Sequence, residues 1–386
     1  MDIAACVRLQ TTHQRDLGAF VLVVVLAAWL AAGASAQAAT SPWKVIASPN
    51  QGFGDNILYG VAALSASDAW AVGMVLDGGP GPVIEHWNGT AWTLTPSGVT
   101  NGFALEAISA PSASDIWAAG VTQSDRPLIE HYNGSHWAGV SSPPGMSSVG
   151  GISATSATDV WVAAYKFLSD GNIGAFLDRW NGSTWTAHRY DTADPDGGIG
   201  PGSPVAFSSS NVWVADYHYS GEGPSFTYVK QWNGTTVVTQ AGPTAPDPTD
   251  NHFYSLAASS PSDIWVAGTW DSAATSSTPL YGPIAGYWNG SKWITPTLPA
   301  AYPAYGHTFQ AIAPVSPSNV WAVGDRSGGY NLLAHWNGTA WTEWAGPNPT
   351  TANGLNGVAA IPGTTGAWAV GATGTSPEKT MILRCC

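Results

Sequence analysis

The sequence predicts an all-β fold, a seven-bladed β-propeller with four antiparallel strands per blade and the last blade closed by the N-terminal strand. Three observations predict it. A tryptophan-centred motif, first seen as Ser67-Asp68-Ala69-Trp70-Ala71-Val72-Gly73, returns at Trp117, Trp161, Trp213, Trp265, Trp321 and Trp368, at spacings of 44 to 56 residues. A second motif, Trp87-Asn88-Gly89, returns in five further units at Asn133, Asn181, Asn233, Asn289 and Asn337. No long helical period follows residue 40. A motif repeated at this period marks an array of like units. Short apolar runs separated by turn residues make each unit a four-stranded β-meander, and such units stack around an axis as blades.

Within a unit, small residues crowd the first strand, as at Gly60, Ala62 and Ala63 or Gly151, Ser153 and Ala154. They suit an innermost position, where space is least. The polar run Ser112-Ala113-Ser114-Asp115 is a turn into the second strand. Asp68, Asp115, Asp159 and Asp263, with Asn211 and Asn319, are expected to cap that turn by accepting its N–H groups. Asn-Gly then reads as a two-residue type I′ turn between the third and fourth strands. That register sets Glu85 opposite Trp92 and makes Trp87 and Trp92 a diagonal pair. The seventh unit stops at Met381–Cys386 without a fourth strand. Ser41-Pro42-Trp43-Lys44-Val45-Ile46 matches the missing strand, so Val45–Ser48 is expected to pair with Met381–Cys385.

The tryptophan count needs the same frame. Of the 21 tryptophans, seven hold the second-strand position, five precede Asn-Gly and six are fourth-strand; Trp29 precedes the repeats, and Trp270 and Trp344 remain. Richness in tryptophan therefore reads first as packing between blades. His86, His131 and His335 recur at one third-strand position and read as framework. The six Asn-Gly-Ser/Thr triplets are formal glycosylation sequons that the turn explains.

These motifs resemble those of secreted bacterial β-propellers with Asp-Val-Trp-Ala-Val-Gly and Trp-Asn-Gly-Thr-x-Trp repeats, over residues 41–386. The plan is similar to kelch and galactose-oxidase-like propellers. The chain lacks the paired glycines of kelch and the Ser-x-Asp-x-Gly-x-Thr-Trp box of sialidases, so no catalytic residue is implied by the resemblance. Propellers host unrelated functions.

Residues 1–38 read as a signal peptide. Arg8 and Arg15 precede the apolar run Leu17–Ala32, and Ala34-Ser35-Ala36 is a small-x-small cleavage site. An extracellular monomer is expected, with membrane attachment only if that segment is retained. The net charge of −13 excludes the basic grooves that nucleic acid demands. Cys385 and Cys386 are expected as two free thiols or an intermolecular link. Asp191-Thr192-Ala193-Asp194-Pro195-Asp196-Gly197 fails the calcium-loop spacing. No cofactor or metal is expected, and no nucleophile elbow or zinc signature appears.

Function is expected on the face carrying the variable connections, those between second and third strands and between repeats. Three residues after the second-strand tryptophan the repeat has Gly73, Gly120, Ala164, Asp216, Gly268, Gly324 and Gly371. Asp216 breaks a small-residue rule. The following positions are Tyr165 and Lys166, Tyr217 and His218, Trp270 and Asp271, and Asp325 and Arg326. These nine residues form the candidate ligand-binding arc, over repeats three to six, with Tyr190, Tyr219, Tyr281, Tyr302, Tyr305 and Tyr330 as loop aromatics beside it. The reading is a non-catalytic binder of a glycan or an extracellular protein. The alternatives are a glycoside hydrolase or polysaccharide lyase using Asp216, Asp271 or Asp325, and a structural or assembly module.

Overall fold

The computed structural model describes residues 41–76, 81–192, 198–219, 226–244, 251–271, 281–299 and 306–386. The expected signal segment lies outside them. The described residues hold 28 β-strands and no helix. Repeat one comprises Asn56–Ser65, Asp68–Val75, Pro82–Trp87 and Trp92–Leu94, in that spatial order. The same meander recurs at 102–140, 148–192, 198–240, 251–294 and 307–345, as repeats two to six. Repeats one and two share one sheet through a single pair, Met74 with Ala104. Repeat seven contributes three strands, Asn353–Ala360, Ala367–Thr373 and Lys379–Cys385. Its fourth is Trp43–Ile46, with Trp43 opposite Cys385 and Ile46 opposite Ile382. The expected N-terminal pairing is thus present, beginning two residues earlier than the sequence suggested.

First strands pack side by side in chain order, and that of repeat seven packs beside that of repeat one. Side chains stitch neighbouring first strands together. Ser109 Oγ accepts the Ala154 N–H at 2.9 Å, Ser153 Oγ accepts the Ala206 N–H at 3.0 Å, and Asn356 Nδ2 donates to the Leu58 carbonyl at 2.9 Å. Only short side chains permit such an approach, which is why the first strand is rich in serine, alanine and glycine. The arrangement is propeller-like.

Cores lie between successive sheets. Second-strand tryptophans pack on third- or fourth-strand aromatics of the next repeat. Trp213 meets Trp288 at 5.6 Å, Trp265 meets Trp341 at 5.7 Å, Trp321 meets Trp43 at 5.2 Å, and Trp368 meets Trp87 and Trp92 at 5.1 and 5.2 Å. The last of these contacts joins repeat seven to repeat one.

Two local expectations are corrected. The third-to-fourth connection is a four-residue loop, because Trp87 pairs directly with Trp92 and Glu85 with Leu94. Gly89 carries the positive φ, at 95°, and Asn88 does not. The Asn88 side chain does the turning: its Oδ1 accepts the N–H groups of Thr90 and Ala91, both at 3.0 Å, and the Thr90 hydroxyl at 2.7 Å. This is an Asx turn, which needs asparagine for its acceptor and glycine for its φ. Cys385 and Cys386 are joined to each other, not free. Cys385 is held in the last strand, and the chain leaves it with Cys386 at φ 57°.

Candidate functional site

The residues that open the second strands do not cap their turn as expected. They clamp side chains across the sheet. Asp115 Oδ1 accepts the indole N–H of Trp117 at 2.8 Å and lies 2.8 Å from His131 Nε2, while Trp117 stacks on His131 at 4.2 Å. Asp159 takes Trp161 and Arg179 in the same way, and Asn211 takes Trp213 and Gln231. The carboxylate–histidine pairs are therefore framework.

Among the described side chains, the arc predicted over repeats three to six is not assembled as one surface. Lys166 is buried, with Nζ 2.8 Å from Asp178 Oδ1 and 4.6 Å from the Phe176 ring centroid. Tyr165 is half-buried, 6.1 Å from the exposed Phe167. Asp216 is 1% exposed and lies 3.7 Å from Lys230 Nζ, which also contacts Asp191. Burial lifts the Asp216 carboxyl to about 7 against the opposing pull of Lys230. Trp270 is half-buried in the core with Trp213 and Phe253, and its indole covers Gly282 so closely that a Cβ there would lie 3.0 Å from Nε1. Arg326 is exposed and pairs with Glu343 at 3.1 Å. Tyr217, His218 and Asp271 are placed in their strands, and their side chains lie outside the described residues.

Asp216 has a backbone explanation. At Gly73 an added Cβ would sit 1.9 Å from the Ile57 carbonyl oxygen, and at Gly120, Gly268, Gly324 and Gly371 it would overlap the first strand in the same manner. Repeat four moves the glycine across the pair. Gly202 on the first strand closes on the Ala215 carbonyl instead, where a Cβ would overlap the oxygen, and Asp216 stands opposite Pro201.

The close approach has a cause that bears on function. Every first strand carries a β-bulge two to five residues past the variable-loop end. Leu58 pairs with Gly73 and Gly60 with Val72, leaving Tyr59 unpaired. The same shift frees Glu106, Gly150, Tyr254, Gln310 and Asn356, and in repeat four Gly202 with Ser203. Bulges re-aim side chains. Here Tyr59, Glu106, Gly150, Ser203, Tyr254, Gln310 and Asn356 all line one axial cavity of about 700 Å³. A second recess of about 360 Å³ continues from it between repeats six, seven and one, bounded by Tyr59, Asp325, Asn353, Asn356 and Glu378. Asp325 alone of the nine predicted residues reaches this mouth among the described residues, with Oδ2 3.2 Å from Gln310 Nε2.

The mouth is acidic. Burial raises the carboxyls of Asp325, Glu106 and Glu378, the last also through Asp55. The Tyr59 hydroxyl is pushed up to about 12 by burial, Glu106 and Glu378. The walls can stack on a flat ring at Tyr254, which is 43% exposed, and hydrogen-bond through carboxyl, amide and hydroxyl groups. The sequence did carry a signal for this ring: one residue per first strand, just before the small run, that varies freely among Tyr, Glu, Gly, Ser, Gln and Asn. It escapes notice because a bulge cannot be seen in a period-two pattern.

No protein-family model matches the chain, and no curated protein matches it. Solved structures are similar in fold. One is a xyloglucanase from Xanthomonas campestris, at 15% identity and TM-score 0.54, covering 85% of this chain and 53% of that one. A second is a polysaccharide lyase described as an ulvan lyase, at 12% and 0.53, covering 87% and 95%. A third, from Dyadobacter fermentans, is described as of unknown function, at 10% and 0.51, covering 91% and 99%. At these identities the likeness is one of fold.

Proposed function

We propose that this chain is a secreted, monomeric, seven-bladed β-propeller that binds a glycan at its axial mouth without processing it. It belongs in this reading with the secreted bacterial propellers that its repeats resemble, and shares only a general plan with kelch. The blade count is supported by 28 strands in meanders of four and by the N-terminal strand completing the last sheet.

The ring of seven bulge residues carries the binding reading. A rigid sheet end presents two tyrosines, a glutamate, two amides and a serine to one concavity, in which apolar faces and a few convergent polar groups can fix a ligand. Hydroxyl-rich rings ask for that mixture, because their faces are apolar and their edges hydrogen-bond. Two structural neighbours are described as acting on polysaccharides, which fits. Nucleic acid does not fit an acidic mouth.

Glycan-array screening of the secreted protein, followed by titration of the best ligand, tests this. Tyr254→Ala should weaken binding at least about tenfold, as loss of a stacked ring does, and the glycan should be recovered intact. Unchanged affinity in the variant would place the ligand elsewhere. A second reading has one observation in its favour: Asp325 and Glu378 bound the same recess and both are pushed towards the protonated form, as one member of a hydrolytic pair must be. Cleaved product in the same assay selects it.

A further inference from the structure

We infer that the axial mouth selects glycans bearing free amino groups and rejects acidic ones. The inference rests on the glycan-binding reading and adds the charge of the ligand to it.

Three carboxyl groups come from three different repeats, Glu106 in the axial cavity and Asp325 and Glu378 in the recess beside it, and Glu106 and Glu378 both raise the Tyr59 hydroxyl. Asp55 stands behind Glu378, its Oδ1 accepting the Glu378 N–H at 2.7 Å. Among the described residues neither wall contributes a lysine, arginine or histidine. Four basic side chains of the repeats are engaged elsewhere: Lys166 with Asp178, Lys230 with Asp191 and Asp216, Arg179 with Asp159, and Arg384 over Trp368. The carboxyls of these walls thus have no basic partner on the walls themselves among the described residues.

Acidity alone would describe any solvated rim. Here Glu106 lines a cavity of about 700 Å³ whose polar and aromatic side chains are delivered by first-strand bulges, and Asp325 and Glu378 line the recess beside it. The walls reduce solvent screening, so a charge entering the mouth feels the carboxylates more strongly than at an open surface. An ammonium group on a sugar brings three donors to these acceptors, and its charge can also lie over the Tyr59 or Tyr254 ring. Charge-assisted hydrogen bonds of this type exceed neutral ones. A uronate or sulfate would meet like charge there. Burial raises the carboxyls of Glu106, Asp325 and Glu378, with Asp55 adding to the last, and an ammonium beside them offsets that cost.

Calorimetric titration at neutral pH and low salt tests the inference with four probes: a β-1,4-linked glucosamine hexamer, its fully N-acetylated form, a glucuronate oligomer and spermidine. The glucosamine hexamer should bind tightest, at least about tenfold over the N-acetylated form, which is what one charge-assisted contact supplies. Added salt should shrink that advantage. Glu378→Gln, alone and with Glu106→Gln, should reduce the ratio of the two affinities, whereas Glu343→Gln, outside the mouth, should leave it unchanged. Equal or tighter binding of the N-acetylated hexamer, or binding of the glucuronate oligomer, overturns the charge selection and leaves glycan binding standing. Spermidine binding as tightly as the glucosamine hexamer overturns the glycan reading. Absence of binding to the glucosamine hexamer overturns the inference.

Discussion

At the scale of single residues, buried charge on third strands separates what the sequence displays from what it hides. Glu85 and Glu130 are fully buried, one residue before the framework histidines. Each caps the chain leaving the previous repeat. Ser48 Oγ donates to Glu85 from 2.9 Å, and Ser97 Oγ and the Gly98 N–H reach Glu130 at 2.8 and 2.7 Å. Burial pushes Glu85 up to about 8 from 4.5. In the unfolded chain that proton is lost near 4.5, so between those values the folded state binds more protons. Stability attributable to Glu85 is therefore complete below about 4.5 and falls as pH rises through about 8. Glu85→Gln keeps the shape and removes the titration. Its melting temperature should match the parent's near pH 5 and exceed it at pH 9; a parent-like decline in the variant would assign the pH dependence to another group. The framework tryptophans were legible because seven copies share one environment. Glu85 was not, since one glutamate in an alternating strand looks like any outward-facing residue until the neighbouring repeat is packed over it.

At the scale of the strand pair, the bulge governs both the repeat glycine and the axial ring. Gly73 exists because the bulged first strand brings the Ile57 carbonyl into the space of a Cβ. Five repeats meet this close approach with a second-strand glycine, whereas repeat three carries Ala164 opposite Val149 and repeat four moves the glycine into the bulge itself. Repeat four uses Gly202, which releases position 216 for a side chain. Gly73→Ala and Gly202→Ala should each lower stability by about 2 kcal/mol or more, the scale of forced backbone shifts in a packed interior. Denaturant midpoints measure this. If Gly202→Ala is silent while Gly73→Ala is not, the exchange of glycine between strands is the wrong account of Asp216. Strand number, order and the N-terminal pairing were readable from motif spacing, since turn and core residues recur together. The binding ring was not, because its residues share a backbone irregularity and no side-chain type. Asp216 drew attention for departing from a pattern, but the pattern served the backbone, so its exception did too.

At the scale of the whole molecule, the reading of one closed ring depends on the segment Trp43–Ile46. Its role goes beyond hydrogen bonds. Trp43 fills the junction between repeats six and seven, edge-on to Trp321 at 5.2 Å, and Ser48 reaches both Glu85 of repeat one and Thr380 of repeat seven. One short stretch thus ties three consecutive repeats. Without it the Lys379–Cys385 strand becomes an open edge, and unpaired edges invite pairing with another chain. The axial mouth would loosen too, because Tyr59, Asn356 and Glu378 stand on the two repeats that the segment joins. Removing residues 41–50 should lower the melting temperature, shift the protein towards dimers or larger species on sizing columns, and weaken any axial ligand. A synthetic peptide of residues 41–50 added back should reverse all three by mass action. A truncated protein that stays monomeric and melts like the parent would show that the repeats hold their ring without this strand, and the closure would then rest on the tryptophan contacts between repeats seven and one alone.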